Sequence, residues 1–430
     1  MLQTLAAAFR YPDLRKRILF VFAMFALYIA GLHIPIPGVN RAALERLFAH
    51  GGLFSLIDIF SGGAMRKFTI FAMGIYPYIT ASIIMQLLTM AIPSLEELAK
   101  EGGEEGRKKI GQYTRYLTVF VSLMQATGMC VGLGRAKDIL HFTTFDYFRT
   151  VIVLTAATCF LLWLGELITE KGIGNGVSLI ILCNILVRLP YDVSKTVELL
   201  KAGAISIINV LLLIGLFLGV IAAVVAMQNA QRKIPVQYAR KVVGIRAYAG
   251  AQTFLPIRLN NAGVIPIIFA AAIIYFPSTI LSFFGGGTNP NSWVNKILYY
   301  FHPGVNVVAS IIYAILVMAF TYFYTAVVFN PTDIADNLKK AGGFIPGVRP
   351  GQPTKEYIDR VLTRVTFVGA LFLAAVALLQ YYYAPITGVP QQTFTIVGGT
   401  SILILVGVVV ETIQQLEAQI AMRRYEGFIK

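Results

Sequence analysis

Side chains that could do chemistry are sparse in this sequence, and their spacing points away from catalysis. The four histidines, His33, His50, His141 and His302, fall near the ends of apolar stretches and have no Cys or carboxylate at metal-ligand spacing. Interfacial side chains explain them better than ligands do. Cys130, Cys159 and Cys183 all lie inside apolar stretches and read as small buried hydrophobes, not as a disulfide framework. No GxSxG, HExxH or GxxxxGK[ST] string occurs, so a nucleophile elbow, a zinc hydrolase helix and a Walker-type nucleotide loop all lack their residues. The run Glu170-Lys171-Gly172-Ile173-Gly174-Asn175-Gly176 offers glycines that could cradle a phosphate, but no strand precedes it and the spacing fits neither a P-loop nor a dinucleotide fingerprint. A tight turn between two helices is the better reading. The chain is therefore read as a non-enzyme with no cofactor and no metal.

What remains is chemistry of recognition. Between Gln228 and Leu259 the chain carries Arg232, Lys233, Arg240, Lys241, Arg246 and Arg258 and no acidic residue. A topology signal alone needs fewer cations, so this stretch is also read as a docking surface for an anionic partner, either RNA phosphate or an acidic protein face. A second loop, Gly342-Gly343-Phe344-Ile345-Pro346-Gly347-Val348-Arg349-Pro350-Gly351, is punctuated by Gly and Pro and holds one arginine at its tip.

The elements that must position these residues follow from composition. Of 430 residues, 57% are hydrophobic and 13% charged, with mean hydropathy +0.71; only lipid can solvate such a chain. At ~20 residues per crossing there is room for about ten spans and no sizeable soluble domain. Uncharged runs begin at Ile18 and recur to Val365–Val410, where Pro385, Gly388 and Pro390 break the last run into spans nine and ten. Alternating loops divide the 36 Lys and Arg as 25 against 11, which places both termini in the cytoplasm by the positive-inside rule. A coupled solute transporter is the rival reading, but its mechanism needs titratable groups at membrane depth. Here Glu166 and Arg364 lie toward cytoplasmic ends and Glu411 follows the last apolar stretch, leaving only mildly polar residues such as Thr80, Ser82, Gln86, Gln125 and Asn184. A purely structural membrane scaffold is a third reading.

Seven strings in order along nearly the whole chain resemble the SecY/Sec61-alpha family, whose bacterial members, SecY, are the large subunits of protein-conducting channels. They are Ile34-Pro35-Ile36-Pro37-Gly38, Phe60-Ser61-Gly62-Gly63-Ala64, Ile75-Tyr76-Pro77-Tyr78-Ile79 with Ala81-Ser82-Ile83-Ile84, Gln112-Tyr113-Thr114-Arg115-Tyr116, Gly172-Ile173-Gly174-Asn175-Gly176, Ala262-Gly263-Val264-Ile265-Pro266 and the Arg349 loop. The stretch Glu101 to Gly106 departs by one extra glycine, and Phe254 stands where the family pattern has His.

The resemblance implies an all-α polytopic membrane protein of ten transmembrane helices in two inverted five-helix halves around a central pore. Residues 18–201 would form the first half and 202–415 the second. The second half would carry cytoplasmic loops 228–259 and 330–361, and 1–17 and 416–430 would be cytoplasmic ends. Matching positions put Ile75, Ile79, Ile181, Ile185, Ile268 and Ile404 in a pore ring. A plug at about 62–72 would begin Gly62, Gly63, Ala64, Met65, Arg66, Lys67. A lateral gate between spans two and seven would involve Pro77, Thr80, Ser82, Gln86, Pro266 and Phe276. Arg240, Lys241, Arg246, Arg258 and Arg349 would dock a motor or a ribosome. The implied partners are the small membrane subunits SecE and SecG, the SecA ATPase, the ribosome, preprotein signal sequences and lipid, in a bacterial plasma membrane. A neck of branched aliphatics suits such a channel, because it dewets when empty yet closes flexibly around a passing chain.

Overall fold

The computed structural model describes residues 9, 11–40, 44, 62–100, 103–135, 143–238, 242–243, 246–247, 252–271, 273–274, 303–304, 306–390, 393 and 399–426. In chain order the helices are α1 (Pro12–Gly31), α2 (Tyr76–Ala91), α3 (Pro93–Lys100), α4 (Gly103–Arg135), α5 (Thr144–Lys171), α6 (Gly176–Lys201) and α7 (Ile207–Asn229). Four strands follow, β1 (Gln231–Tyr238), β2 (Val242–Val243), β3 (Arg246–Ala247) and β4 (Gln252–Arg258). The chain ends with α8 (Val307–Val328), α9 (Pro331–Lys340), β5 (Gly343–Phe344), α10 (Gln352–Thr387) and α11 (Gly399–Glu426). Residues 265–271 form a further short helix in the seventh apolar run, most of which lies outside the described residues. Seven of the described helices are long and apolar enough to cross a membrane, or eight if α2 and α3 are one broken span. The protein is a helical, multi-pass membrane protein.

Helix ends follow local chemistry. Asn175, Ser206, Asn306 and Asn330 cap α6, α7, α8 and α9 by accepting from a backbone N–H two or three residues on. A capping box between Thr143 and Asp146 starts α5. Gly388, at φ +69°, ends α10 in the left-handed region. Uncharged runs understate helix length because helix ends carry charge: α6 runs on to Lys201, well past the end of its uncharged run at Val187. Between α2 and α3 the chain turns by 105°, at Ile92, whose extended backbone precedes Pro93.

Two apolar cores hold the helices. The first gathers α1, the turns at 62–75, α5, α6 and one face of α11. The second gathers α7, residues 264–274, α8, α10 and the opposite face of α11. Hydrogen bonds tie helices together inside the second: Tyr382 Oη donates to Ser310 Oγ at 2.9 Å, and Thr400 Oγ1 to Gln380 Oε1 at 3.1 Å. Ile208, Leu211 and Leu218 of α7 point outward, where lipid is their solvent.

The stretches 228–259 and 330–361 are not the plain loops that the uncharged runs imply. Strands β1 and β4 pair antiparallel from Gln231↔Arg258 to Gln237↔Gln252, and β5 adds to the other edge of β1 at Gln237↔Phe344 and Tyr238↔Gly343. Ile234, Ile257 and Ile345 pack beneath this sheet on Ile358 and Leu362 of α10. The sheet fastens loop 330–361 to loop 228–259.

Candidate functional site

Five of the six expected ring residues share one apolar core. Ile75 stands at the head of α2 with Ile79 one turn on, Ile181 and Ile185 share a face of α6, and Ile404 comes from α11. All five belong to the first core, with Ile79 half-buried and the others no more than 7% exposed. Ile268 is half-buried and stands apart from that cluster, lining a cavity of about 550 Å³ whose inner wall also includes Ile181, Ile404 and Val408. At the opposite rim are Gln228, Arg258, Glu411 and Gln414. Polar side chains thus line one part of the cavity and branched aliphatics the other.

Residues 62–75 lie against the same cluster as a chain of turns. Ala64 and Phe71 join the ring's core, while Met65, Phe68, Ala72 and Met73 join a neighbouring one with Ile36, Met129 and Leu154. Backbone bonds anchor the segment after α1: Ile36 N–H donates to Phe68 O at 2.9 Å and Ile70 N–H to Ile34 O at 3.0 Å. Phe71 stacks between Tyr28 of α1 and Phe160 of α5, at centroid distances of 5.5 and 6.1 Å. A Cβ at Gly31 would overlap the Phe71 ring, so only glycine leaves that slot open. Of the other expected plug residues, Gly63 is half-buried with open space around its Cα, Arg66 is half-buried and Lys67 is exposed.

At the expected gate, Pro77 and Pro266 are buried in the first turns of α2 and of the helix at 265–271. There a missing N–H costs nothing, so these prolines start helices and do not bend them. The sharp break in this region is at Ile92 and Pro93 instead. Thr80 and Ser82 are half-buried, with Thr80 Oγ1 donating to Tyr76 O at 3.1 Å, and Gln86 is exposed. Phe276 lies outside the described residues.

The expected docking cations separate. Arg258 closes β4 at the cavity rim and donates from Nη2 to Gln414 Oε1 at 3.3 Å. Arg349 is exposed at the tip of a turn bounded by Gly347 (φ +82°) and Gly351 (φ +100°), with its carbonyl accepting from Thr354 Oγ1 at 2.8 Å. Arg246 lies in β3, and Arg240 and Lys241 lie outside the described residues. The link at 172–176 is a tight interhelical turn: Gly176 N–H donates to Thr169 Oγ1 at 2.8 Å, and Gly176 packs so close to the Gly165 carbonyl that no side chain fits. Glu166 pairs with Arg115 across α5 and α4 at 2.6 Å.

One feature escaped the sequence reading. Arg188 and Asp192, just beyond the uncharged run that ends at Val187, sit inside α6, 5% and 0% exposed, with Nε and Oδ1 3.5 Å apart. The signal was available as opposite charges four residues apart in a stretch free of helix breakers other than Pro190.

Comparison with known proteins agrees with this architecture. The SecY family model matches residues 69–413. The chain is 44% identical to the protein translocase subunit SecY of Streptomyces galbus over the whole of both chains. It is 43% identical to that of Escherichia coli K12, covering 97% of this chain and 94% of the other. Among solved structures, one described as the structure of a protein conducting channel superposes with TM-score 0.66 at 19% identity, covering 94% of this chain and 92% of that one. Sec61 in the canine ribosome-channel complex gives 0.63 at 18%, with the same coverage. With a family model spanning most of its length and full-length relatives above 40% identity, the chain belongs to the SecY family.

Proposed function

We propose that this protein is the channel subunit of a bacterial protein translocase, passing unfolded preproteins across the plasma membrane and releasing transmembrane segments sideways into lipid. The observation that carries the reading is the juxtaposition of three features: a cavity lined by polar residues and by Ile181 and Ile404, the isoleucines of α2, α6 and α11 in one apolar core, and the turns at 62–75 packed against that core. An apolar neck offers no binding site to a passing side chain and excludes ions when empty. Residues 62–72 act as its plug. Opening toward lipid runs between α2 and the helix at 265–271, where the half-buried hydroxyls of Thr80 and Ser82 can face protein, water or a signal helix in turn.

Transport needs energy from outside the chain. SecA or a ribosome supplies it by docking on the cytoplasmic sheet and the Arg349 turn, and SecE and SecG complete the membrane complex. The ribosome-bound channels among the structural neighbours support such a partner. The decisive experiment reconstitutes the chain with small membrane subunits and an ATPase motor in liposomes, scored by protease protection of a preprotein. ATP-dependent protection is expected, and its absence with an active motor would overturn the reading. Orientation is tested in a background lacking Cys130, Cys159 and Cys183. Lys340→Cys should be labelled from the cytoplasm and Ala202→Cys from outside, both positions being exposed. Labelling of both from one side would refute the topology.

A further inference from the structure

The face of α6 that supplies Ile181 and Ile185 to the constriction does not stay apolar. Asn184, Arg188 and Asp192 follow at four-residue steps on that face, and all three are buried, at 0%, 5% and 0% exposure. Arg188 and Asp192 pair at 3.5 Å, and Tyr383 of α10 lies within electrostatic reach of both. At its Asn184 end the stripe touches the proposed plug. Gly62 rests on Asn184, one turn from Arg188, so closely that a side-chain carbon there would meet the Asn184 Cα and Oδ1 at 3.1 Å.

A buried ion pair is expensive to keep dry, and its attraction often fails to offset the lost hydration. In water the same pair is nearly neutral in free energy. Any movement that admits water along α6 therefore relieves a cost present only while the stripe is covered. We propose that Arg188 and Asp192 set the threshold for plug release: they hold the seated plug in a slightly strained balance, so that a signal sequence needs only modest binding energy to displace it. This rests on the pore-and-plug reading above. They are positioning residues, acting on the plug through the stripe and touching no substrate in the closed channel.

The proposal makes single and double substitutions differ in sign. Asp192→Asn or Arg188→Gln leaves one buried charge without its countercharge, which weakens the closed state further. Arg188→Met with Asp192→Leu removes both charges at similar volume and tightens it. A purely structural pair would show the same two signs in folding stability, but its effects would not depend on residues 62–67.

The test uses the complete channel with its small subunits in liposomes, reading ion leak and export of a preprotein with a weakened signal sequence. Each variant is also made without residues 62–67. Relative to the parent chain, each single substitution should raise leak about tenfold, and the double should lower export of the weakened preprotein about fivefold or more. Without 62–67, all chains should leak alike within about twofold, because the contact through which the pair acts on the plug is gone. A double variant that matches the parent, or single effects that persist undiminished without 62–67, would overturn the proposal and return the pair to helix packing. If the single variants do not fold, the double variant decides alone, since it buries no lone charge. A parent chain whose leak does not change on loss of 62–67 overturns the plug reading itself; a leak that rises while the double variant stays at parent level overturns only this inference.

Discussion

Five isoleucines, Ile75 at the head of α2 with Ile79, Ile181, Ile185 and Ile404, share the first core at the proposed constriction, and five aliphatics, Ile234, Ile257, Ile345, Ile358 and Leu362, meet beneath the β4-β1-β5 sheet. The clusters are alike in composition and opposite in how their members are held. Under the sheet, Ile234 and Ile257 ride on strands joined by a backbone ladder, and β5 extends that ladder to the next loop. At the constriction each helix satisfies its own backbone, so the isoleucines touch only through side chains. Parting the sheet breaks hydrogen bonds; parting the constriction breaks none. The first arrangement suits a platform that must hold a shape for a partner, and the second suits a neck that must open and reseal.

Five substitutions would break or sharpen this contrast. The largest effect is expected from Arg349→Glu, at the tip of the platform. A like-charge contact at a docked motor should lower ATP-driven export in liposomes about a hundredfold, while detergent-extracted stability stays within about 0.5 kcal/mol of the parent. Normal export would strip the platform of its docking role. Next comes Phe71→Ala, which empties the slot between Tyr28 and Phe160. It should cost about 3–5 kcal/mol of packing in the sealed state, read as ion leak raised tens-fold or more, and an unchanged leak would mean that the turns at 62–75 do not seal. Third, Ile404→Asn should let water into the neck and raise acceptance of preproteins with defective signals about tenfold, by burying an amide without assured partners. Ile268→Asn should do less, because Ile268 faces the cavity and is already half-exposed; equal effects would place the narrowest point deeper in the cavity wall. The smallest change is expected from Arg258→Gln. It removes an exposed bond to Gln414, worth about 1 kcal/mol at most, so export should change by about twofold or less.

The spans were legible because lipid leaves few solutions: long uncharged runs, capped by Asn or Ser and broken by Pro and Gly, gave the order of the helices. The constriction was not legible in that way. An isoleucine in a membrane helix is ordinarily packing, and nothing in the spacing of Ile75, Ile181 and Ile404 says that they share a core; family resemblance singled them out as a ring, and the fold puts them in one apolar cluster without Ile268. The sheet escaped because its alternation is short and disguised. In β1, Ile234 and Val236 point inward on either side of Pro235, and the preceding Arg232 and Lys233 read as loop. Arg188 and Asp192 escaped for a related reason: dividing the chain at charges assumes that charge ends a span, whereas two opposite charges one turn apart can stay inside it.

Helix α11 stands between the two cores. Ile404 and Val408 face the first, and Ile402, Leu403, Val406 and Val410 face the second. From Ser401 to Val410 no residue is exposed, so this stretch has no side on which sequence can drift. Most membrane helices tolerate exchange among Leu, Ile, Val and Phe wherever they face lipid, and evolution uses that freedom. Here a change of shape at any position is felt by one core or the other, and at Leu405, packed against both, by the two at once. A saturation scan scored for export should therefore find tolerance along the outward face of α7 and almost none through the middle of α11. In evolutionary terms, a helix shared by two cores has little freedom to vary through its middle.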